Sequence, residues 1–219
     1  MKDKVISLQN GVLITFEGGE GAGKTSVIRE MGARLKKLGY DVMATREPGG
    51  VLIAEQIRRV ILDENHTAMD ARTEALLYAA ARREHLVEKI IPALNEGKIV
   101  LCDRFIDSSL AYQGYARGIG MEEVLKINEF AVGSYFPDLT LFLDVEPKVG
   151  LERITKDLGR EINRLDKENI AFHNKVREGF LSVYERFPKR IKRIDANQPF
   201  ADVVEASFQV IQRFLASEN

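Results

Sequence analysis

Apolar residues fall along this chain in two alternating rhythms. Near-continuous runs of Val, Ile, Leu and Phe occur at "VLITFE" from Val12, "KIVLCD" from Lys98 and "LTLFLDV" from Leu139. That is the pattern of strands buried on both faces. Two further runs, "DVMATRE" from Asp41 and "RIKRIDA" from Arg190, read as strands with a less continuous apolar character, the first being the weakest. Between the strands, apolar positions recur at helical spacing: Val27, Met31, Leu35 and Leu38 form one stripe, and Val87, Ile90, Ile91 and Leu94 another. Segments after Val51, Met121, Pro147, Lys167 and Pro199 also read as helix, and Gly39 and Gly97 stop the helices before them. Strand alternating with helix predicts an α/β fold: a doubly wound, five-stranded parallel sheet with helices on both faces. Ligands then belong at the carboxyl ends of the strands. No repeat, low-complexity tract or linker divides residues 1–219, which read as one domain.

Composition narrows the classes. Hydrophobic residues make up 45% and charged residues 30%, enough for a substantial core, and the formal net charge of -1 excludes the global basic field of a nucleic-acid binder. Cys102 is the sole cysteine, so no internal disulfide is expected; it reads as a small buried strand residue in a reducing cytoplasm. The N-terminal stretch lacks the apolar core of a signal peptide, and no apolar run approaches the roughly 20 residues of a membrane span. A soluble cytoplasmic protein with neither nucleic acid nor membrane as partner is expected. His66 reads as a loop residue, His173 as lying on a helix surface and His85 as at most a helper.

The sharpest chemistry lies in "GGEGAGKTSVIRE" after the first strand. Gly18 to Thr25 fits G-x-x-x-x-G-K-[ST] between a strand and a helix, the context in which glycines let backbone N–H groups surround phosphate oxygens. Gly18, Gly19, Glu20, Gly21, Ala22, Gly23, Lys24, Thr25 and Ser26 would then cradle a nucleotide. Lys24 would reach the terminal phosphates, and the Thr25 hydroxyl would ligate magnesium. Asp103, ending the third apolar run, is the preferred second magnesium ligand, with Asp144 its competitor. The D-x-x-G and N-K-x-D strings of a GTPase switch are absent.

Arginines mark the other strand ends, in "REPGG" from Arg46, "YAAARREH" from Tyr78, "DRFIDSSLAYQG" from Asp103 and "RITKDLGREINR" from Arg153. Arginine's planar fork matches phosphate oxygens, and several together can hold two phosphate-bearing ligands. Tyr78, Arg82 and His85 are spaced to share one helix face, away from the core stripe of Val87. That face could stack on and bond a base, or pack against a neighbouring helix.

In the order and spacing of "FEGGEGAGKT", "REPGG", "EALLYAAARREH", "DRFIDSSLAYQG", the later arginines and "IDANQP", the chain resembles the bacterial thymidylate kinases from about Leu13 to Ala216. The resemblance implies a P-loop NTPase-type fold with a short lid at about 153–166. It implies transfer of the ATP γ-phosphoryl group to dTMP, giving dTDP and ADP for dTTP biosynthesis, with Mg2+ accompanying ATP. Carried over, Arg46 and Arg104 would clamp the dTMP phosphate, Tyr78 would stack on thymine, and Arg82 would bond its carbonyl. Ser109 would face the ring nitrogen, Tyr112 would crowd the sugar 2′ position, and Glu20 would approach the acceptor; Pro48, Ser108 and Gln113 complete the set. Lys24, Arg104 and the lid arginines Arg153, Arg160 and Arg164 would be catalytic. The phosphate loop carries no base besides Lys24, and Gly21 stands where one branch of the family has arginine, so the lid is expected to supply charge. That lid is about two residues longer than the commonest bacterial pattern, which leaves open which arginine touches the transferred group; in a helix, Arg160 and Arg164 would both point inward. The family also implies a homodimer, with "MEEVLKINEFAVG" from Met121 as an interface helix. The alternatives are another nucleoside monophosphate kinase or, from a different class, a nucleotide-dependent switch or partitioning ATPase.

Overall fold

The computed structural model describes residues 10–156 and 164–218. Five strands, β1 (Val12–Glu17), β2 (Val42–Arg46), β3 (Ile99–Asp103), β4 (Leu139–Asp144) and β5 (Ile191–Asp195), form one sheet in the order β2-β3-β1-β4-β5. Every pairing is parallel, with Val12 beside Ile99 and Ile14 beside Leu139. The three strands with continuous apolar runs are the three central ones. The two weaker runs are the edge strands, each part-exposed, so their sequences alternate instead of running apolar throughout.

Side chains alternate across the sheet into two cores. Leu13, Val100, Cys102 and Phe142 face one side with Val176, Phe180 and Val183 of α8 (Ile170–Arg186). Ile14, Phe16, Leu101 and Leu141 face the other with Val27, Met31 and Leu35 of α1 (Lys24–Lys37) and Val204 and Ile211 of α9 (Phe200–Glu218). The remaining helices are α2 (Leu52–Leu62), α3 (Ala71–His85), α4 (Ile91–Asn95), α5 (Ile106–Ser109), α6 (Met121–Val132) and α7 (Pro147–Lys156).

Three expectations need correction. Leu38 is exposed because α1 ends at Lys37 and Leu38 caps it, beyond the buried stripe. Val87 is exposed too: α3 passes into a π-helical turn over Leu86–Ile90, whose extra residue shifts the phase so that Leu86 and Ile90 face inward. His173 is buried on α8, edge-on to Phe172, and does not lie on the helix surface. His66 does lie in a connecting segment, its Nδ1 2.8 Å from the Val60 carbonyl.

Candidate functional site

β1 delivers the chain into the phosphate loop, where Gly21 and Gly23 adopt φ of 69° and 87° and so let the backbone turn inward. Gly23 caps α1 without any side-chain cap, which leaves the first N–H groups of the helix available to an anion. Lys24 is buried, its Nζ donating to the Gly18 carbonyl at 3.1 Å and the Gly19 carbonyl at 3.0 Å. Burial and then the Arg104 charge push its pKa down to about 8, against the pull of Asp103, Glu20 and Glu17. Anionic phosphates entering here would restore its full charge. The Thr25 hydroxyl donates to Asp103 Oδ2 at 2.7 Å, so the loop and the end of β3 meet at a pair of oxygen ligands. Asp144 is engaged elsewhere, by Arg177 at 2.7 Å and Arg193 at 2.6 Å.

The loop also locks onto α7. A Cβ at Gly21 would collide with the Gly150 carbonyl, and a Cβ at Gly150 with the Glu20 carbonyl. Two glycines thus allow the backbone of the phosphate loop to rest directly on the helix that leads into residues 157–163.

Opposite the loop, β3 ends in Arg104, which adopts a left-handed φ of 65°, a conformation that costs a non-glycine residue about 1–2 kcal/mol. Its guanidinium donates to the Gly18 carbonyl at 3.1 Å and to Ser108 Oγ at 3.2 Å, and pairs with Glu20, which also accepts from the Tyr112 hydroxyl at 3.1 Å. Arg46, ending β2, bonds the Pro48 carbonyl at 2.8 Å and Glu55 at 2.9 Å, with its side chain still about half exposed. Between these lies a cleft of about 870 Å³ lined by Glu20 to Ser26, Arg46, Tyr78, Asp103, Arg104 and Arg153, among others.

A narrower pocket opens from it between Pro48, Tyr78, Arg82, Arg104, Ser108, Ser109, Tyr112 and Gln113. The α3 face that carries Tyr78, Arg82 and His85 is therefore neither solvent-facing nor apolar. Arg82 is buried, its Nε donating to Glu47 at 2.7 Å and its terminal nitrogens to Ser109 Oγ at 3.0 Å, the Phe105 carbonyl at 2.9 Å and Asn128. Glu47 also bonds His85 Nδ1 at 3.0 Å, and His85 Nε2 lies 2.7 Å from Thr45 Oγ1. His85 thus supports Arg82 through Glu47. Burial raises the pKa of the Tyr78 hydroxyl, keeping it a neutral, partly exposed wall of the cleft.

The lid arginines separate. Arg153 lines the cleft and bonds the Ala196 carbonyl at 2.9 Å. Arg160 lies outside the described residues. Arg164 opens a 3-10 turn over Arg164–Lys167 and is buried, bonding the Ile61 carbonyl at 3.1 Å and Glu74. Glu74 is itself buried; burial would raise its pKa, but Arg117, Gln113 and Arg164 outweigh that and hold it below the usual range. Sequence reasoning passed over Glu17, Glu47, Glu74 and Asn128. Glu17 and Glu47 left a signal, since each is a carboxylate at the end of a strand inside an otherwise quoted motif. Glu74 and Asn128 left none, because the site side chains they bond, Gln113 and Arg164 for Glu74 and Arg82 for Asn128, lie at least 39 residues away in the chain.

A model of the family described as "Thymidylate kinase" matches residues 16–207. The thymidylate kinase of Clostridium novyi (strain NT) is 57% identical over 208 residues, covering 95% of this chain and 100% of that relative. That of Bacillus velezensis is 61% identical over 206 residues, covering 94% and 97% respectively. The crystal structure of thymidylate kinase from Ehrlichia chaffeensis superposes with a TM-score of 0.74 at 32% identity, over 92% of this chain and 99% of that one. With its phosphate loop facing a second, arginine-lined pocket, this chain belongs to the thymidylate kinase family.

Proposed function

We propose that this kinase transfers the γ-phosphoryl group of ATP to dTMP, giving dTDP and ADP. The observation that carries the reading is the opposition, within one cleft, of the Gly18–Thr25 loop and an inner pocket built on Arg82 and Arg104. ATP phosphates would lie over Gly19 to Ser26 with Lys24 against them. The acceptor phosphate would lie between Arg46 and Arg104, and the base would enter between Tyr78, Arg82 and Ser109, with Pro48 and Gln113 as walls. Among the described residues, four of the five N–H groups of Arg82 have partners, which leaves one to bond a base carbonyl. Tyr112, held by Glu20, would exclude a ribose 2′-hydroxyl.

Phosphoryl transfer depends on alignment and charge neutralisation rather than covalent chemistry. A phosphate monoester with a second pKa of about 6 is largely dianionic near neutral pH, so no general base is required. Lys24 and Arg104 would neutralise charge from either side. Because Arg164 is committed to Glu74 and Ile61, we assign it to anchoring the lid against α3, and the contact with the transferred group to Arg153 and Arg160. The Thr25 hydroxyl and Asp103 carboxylate are hard oxygen donors that suit Mg2+. Among the described residues, no cluster of three or more His, Cys, Asp or Glu groups is placed to hold a metal, as fits an ion otherwise held by water and phosphate oxygens. When bound, the ion would supply charge neutralisation on the β- and γ-phosphates.

We further propose a homodimer formed through α6. Phe130 on α6 is 93% exposed, and α3, which packs on α6, and α2, which packs on α3, carry the exposed Leu76 and Leu52, apolar side chains that a second copy would cover. Among the described residues no helix is long and apolar enough to cross a membrane. The sole cysteine, buried and free, is consistent with a cytoplasmic location. Incubation with MgATP and each of dTMP, dUMP, UMP, dCMP and AMP tests the central reading. dTMP is expected to be the best acceptor by at least about tenfold in kcat/KM, the worth of seating the single methyl group that distinguishes it from dUMP. Equal use of all five would reject it in favour of a broader monophosphate kinase.

A further inference from the structure

Two buried carboxylates sit side by side beneath the cleft, and the structure treats them differently. Asp107 on α5 receives a two-pronged ion pair from Arg190, at 2.7 and 2.8 Å, and a bond from Thr140 Oγ1 at 3.2 Å. Glu17, the last residue of β1, is wholly buried and has no ion pair of that kind among the described residues. It accepts instead from the Phe105 N–H at 2.7 Å with one oxygen and from the Ser108 hydroxyl with the other. Burying an anion without a cation paired to it is costly, and hydrogen bonds offset only part of that cost.

Both bonds converge on Arg104. Phe105 follows Arg104 directly, so its N–H fixes the far side of a left-handed residue whose own N–H is held by the Phe16 carbonyl at 3.0 Å. The Ser108 hydroxyl has a single proton. With that proton given to Glu17, the oxygen presents only lone pairs to the Arg104 guanidinium, 3.2 Å away. Glu17 therefore fixes the backbone of Arg104 and orients the acceptor that aims its side chain. We infer that Glu17 is a positioning residue for the acceptor-phosphate site, holding Arg104 through the Phe105 N–H and the Ser108 hydroxyl. The inference rests on the proposed reading that Arg104 clamps the dTMP phosphate.

Glu17→Gln provides the test. Gln keeps the shape and an acceptor for Phe105, but its amide donates to Ser108, so the hydroxyl proton must turn elsewhere and compete with Arg104. Steady-state kinetics at about pH 8.5, where the Glu17 carboxyl is ionised, should show KM for dTMP raised about tenfold, the worth of one hydrogen bond to a charged group, with kcat and KM for ATP within about threefold. Ser108→Ala should raise KM for dTMP similarly. The double variant should then fall within about threefold of either single one, because both break the same relay. An unchanged KM for dTMP in Glu17→Gln, or two effects that multiply in the double variant, would overturn the inference. If Glu17→Gln does not fold, Ser108→Ala decides alone: an unchanged KM for dTMP would remove the relay. Arg104→Ala separates the two readings. It should raise KM for dTMP about a hundredfold, two such bonds being lost. An unchanged KM there would reject the phosphate clamp itself, whereas a raised KM there beside an unchanged one in Glu17→Gln would reject only the positioning role.

Discussion

Replacing Glu17 by Gln should also remove a pH dependence from the stability of the fold. Burial, and then the neighbouring Asp107 charge, raise the Glu17 carboxyl from 4.5 to about 7, against the Ser108 and Phe105 bonds and the Arg104 charge. The folded state thus binds this proton more tightly than the unfolded chain does. The stabilisation is fully present below about pH 4.5 and is lost as pH rises through about 7. At about 1.36 kcal/mol per pH unit, the rise from 4.5 to about 7 is worth about 3 kcal/mol, most of which falls between pH 5 and pH 8.5. For a domain of this size that is about 5–10 °C in Tm. Thermal melts followed by circular dichroism across that range, on the parent and on Glu17→Gln, would read it directly. The Tm of the parent minus that of the variant should therefore fall steadily as pH rises from 5 to 8.5. A difference in Tm that stays constant across the range would refute the reasoning, since it would mean Glu17 keeps its charge at every pH tested.

Other groups lead to separate expectations. Arg153→Ala and Arg160→Ala should each lower kcat about tenfold or more while the Kd of dTMP, measured calorimetrically, stays within about threefold, as removal of a contact made chiefly in the transition state requires. Equal losses of binding and turnover would place these arginines at the acceptor instead. Gly150→Ala puts a Cβ against the Glu20 carbonyl and should displace the phosphate loop, raising KM for ATP about tenfold for about 1–3 kcal/mol of overpacking; an unchanged KM for ATP would show that loop and helix move independently. Phe130→Glu should convert a sedimenting dimer to monomer with the fold intact by circular dichroism, and an unchanged sedimentation coefficient would remove α6 from the interface.

The fold was legible because the physics that selects it is written in short-range pattern. β1, β3 and β4 are buried on both faces and read as apolar runs, and the phosphate loop is local, lying within eight residues from Gly18 to Thr25. The edge strands β2 and β5 were fainter because, among the described residues, one edge of each has no partner strand and their side chains are part-exposed. Val87 was misplaced because a π-helical turn adds a residue that no 3.6-residue period foresees. His173 was misplaced because its burial depends on how α8 packs, not on its own neighbours in sequence. In the site, residues at strand ends could be named from position alone, as with Arg46, Asp103 and Arg104. Which carboxylate holds Arg82 or Arg164 could not be read in this way: Glu47 reaches Arg82 across 35 residues and Glu74 reaches Arg164 across 90, and such pairings exist only once the sheet has formed.

A crystal structure with dTMP and ADP bound would test the arrangement most directly. The dTMP phosphate is expected between Arg46 and Arg104, the thymine against Tyr78 with its carbonyl on Arg82, and the ADP phosphates over Gly19 to Ser26. Thymine lying outside the Arg82 pocket, or a dTMP phosphate seated on Lys24 in the phosphate loop, would contradict it.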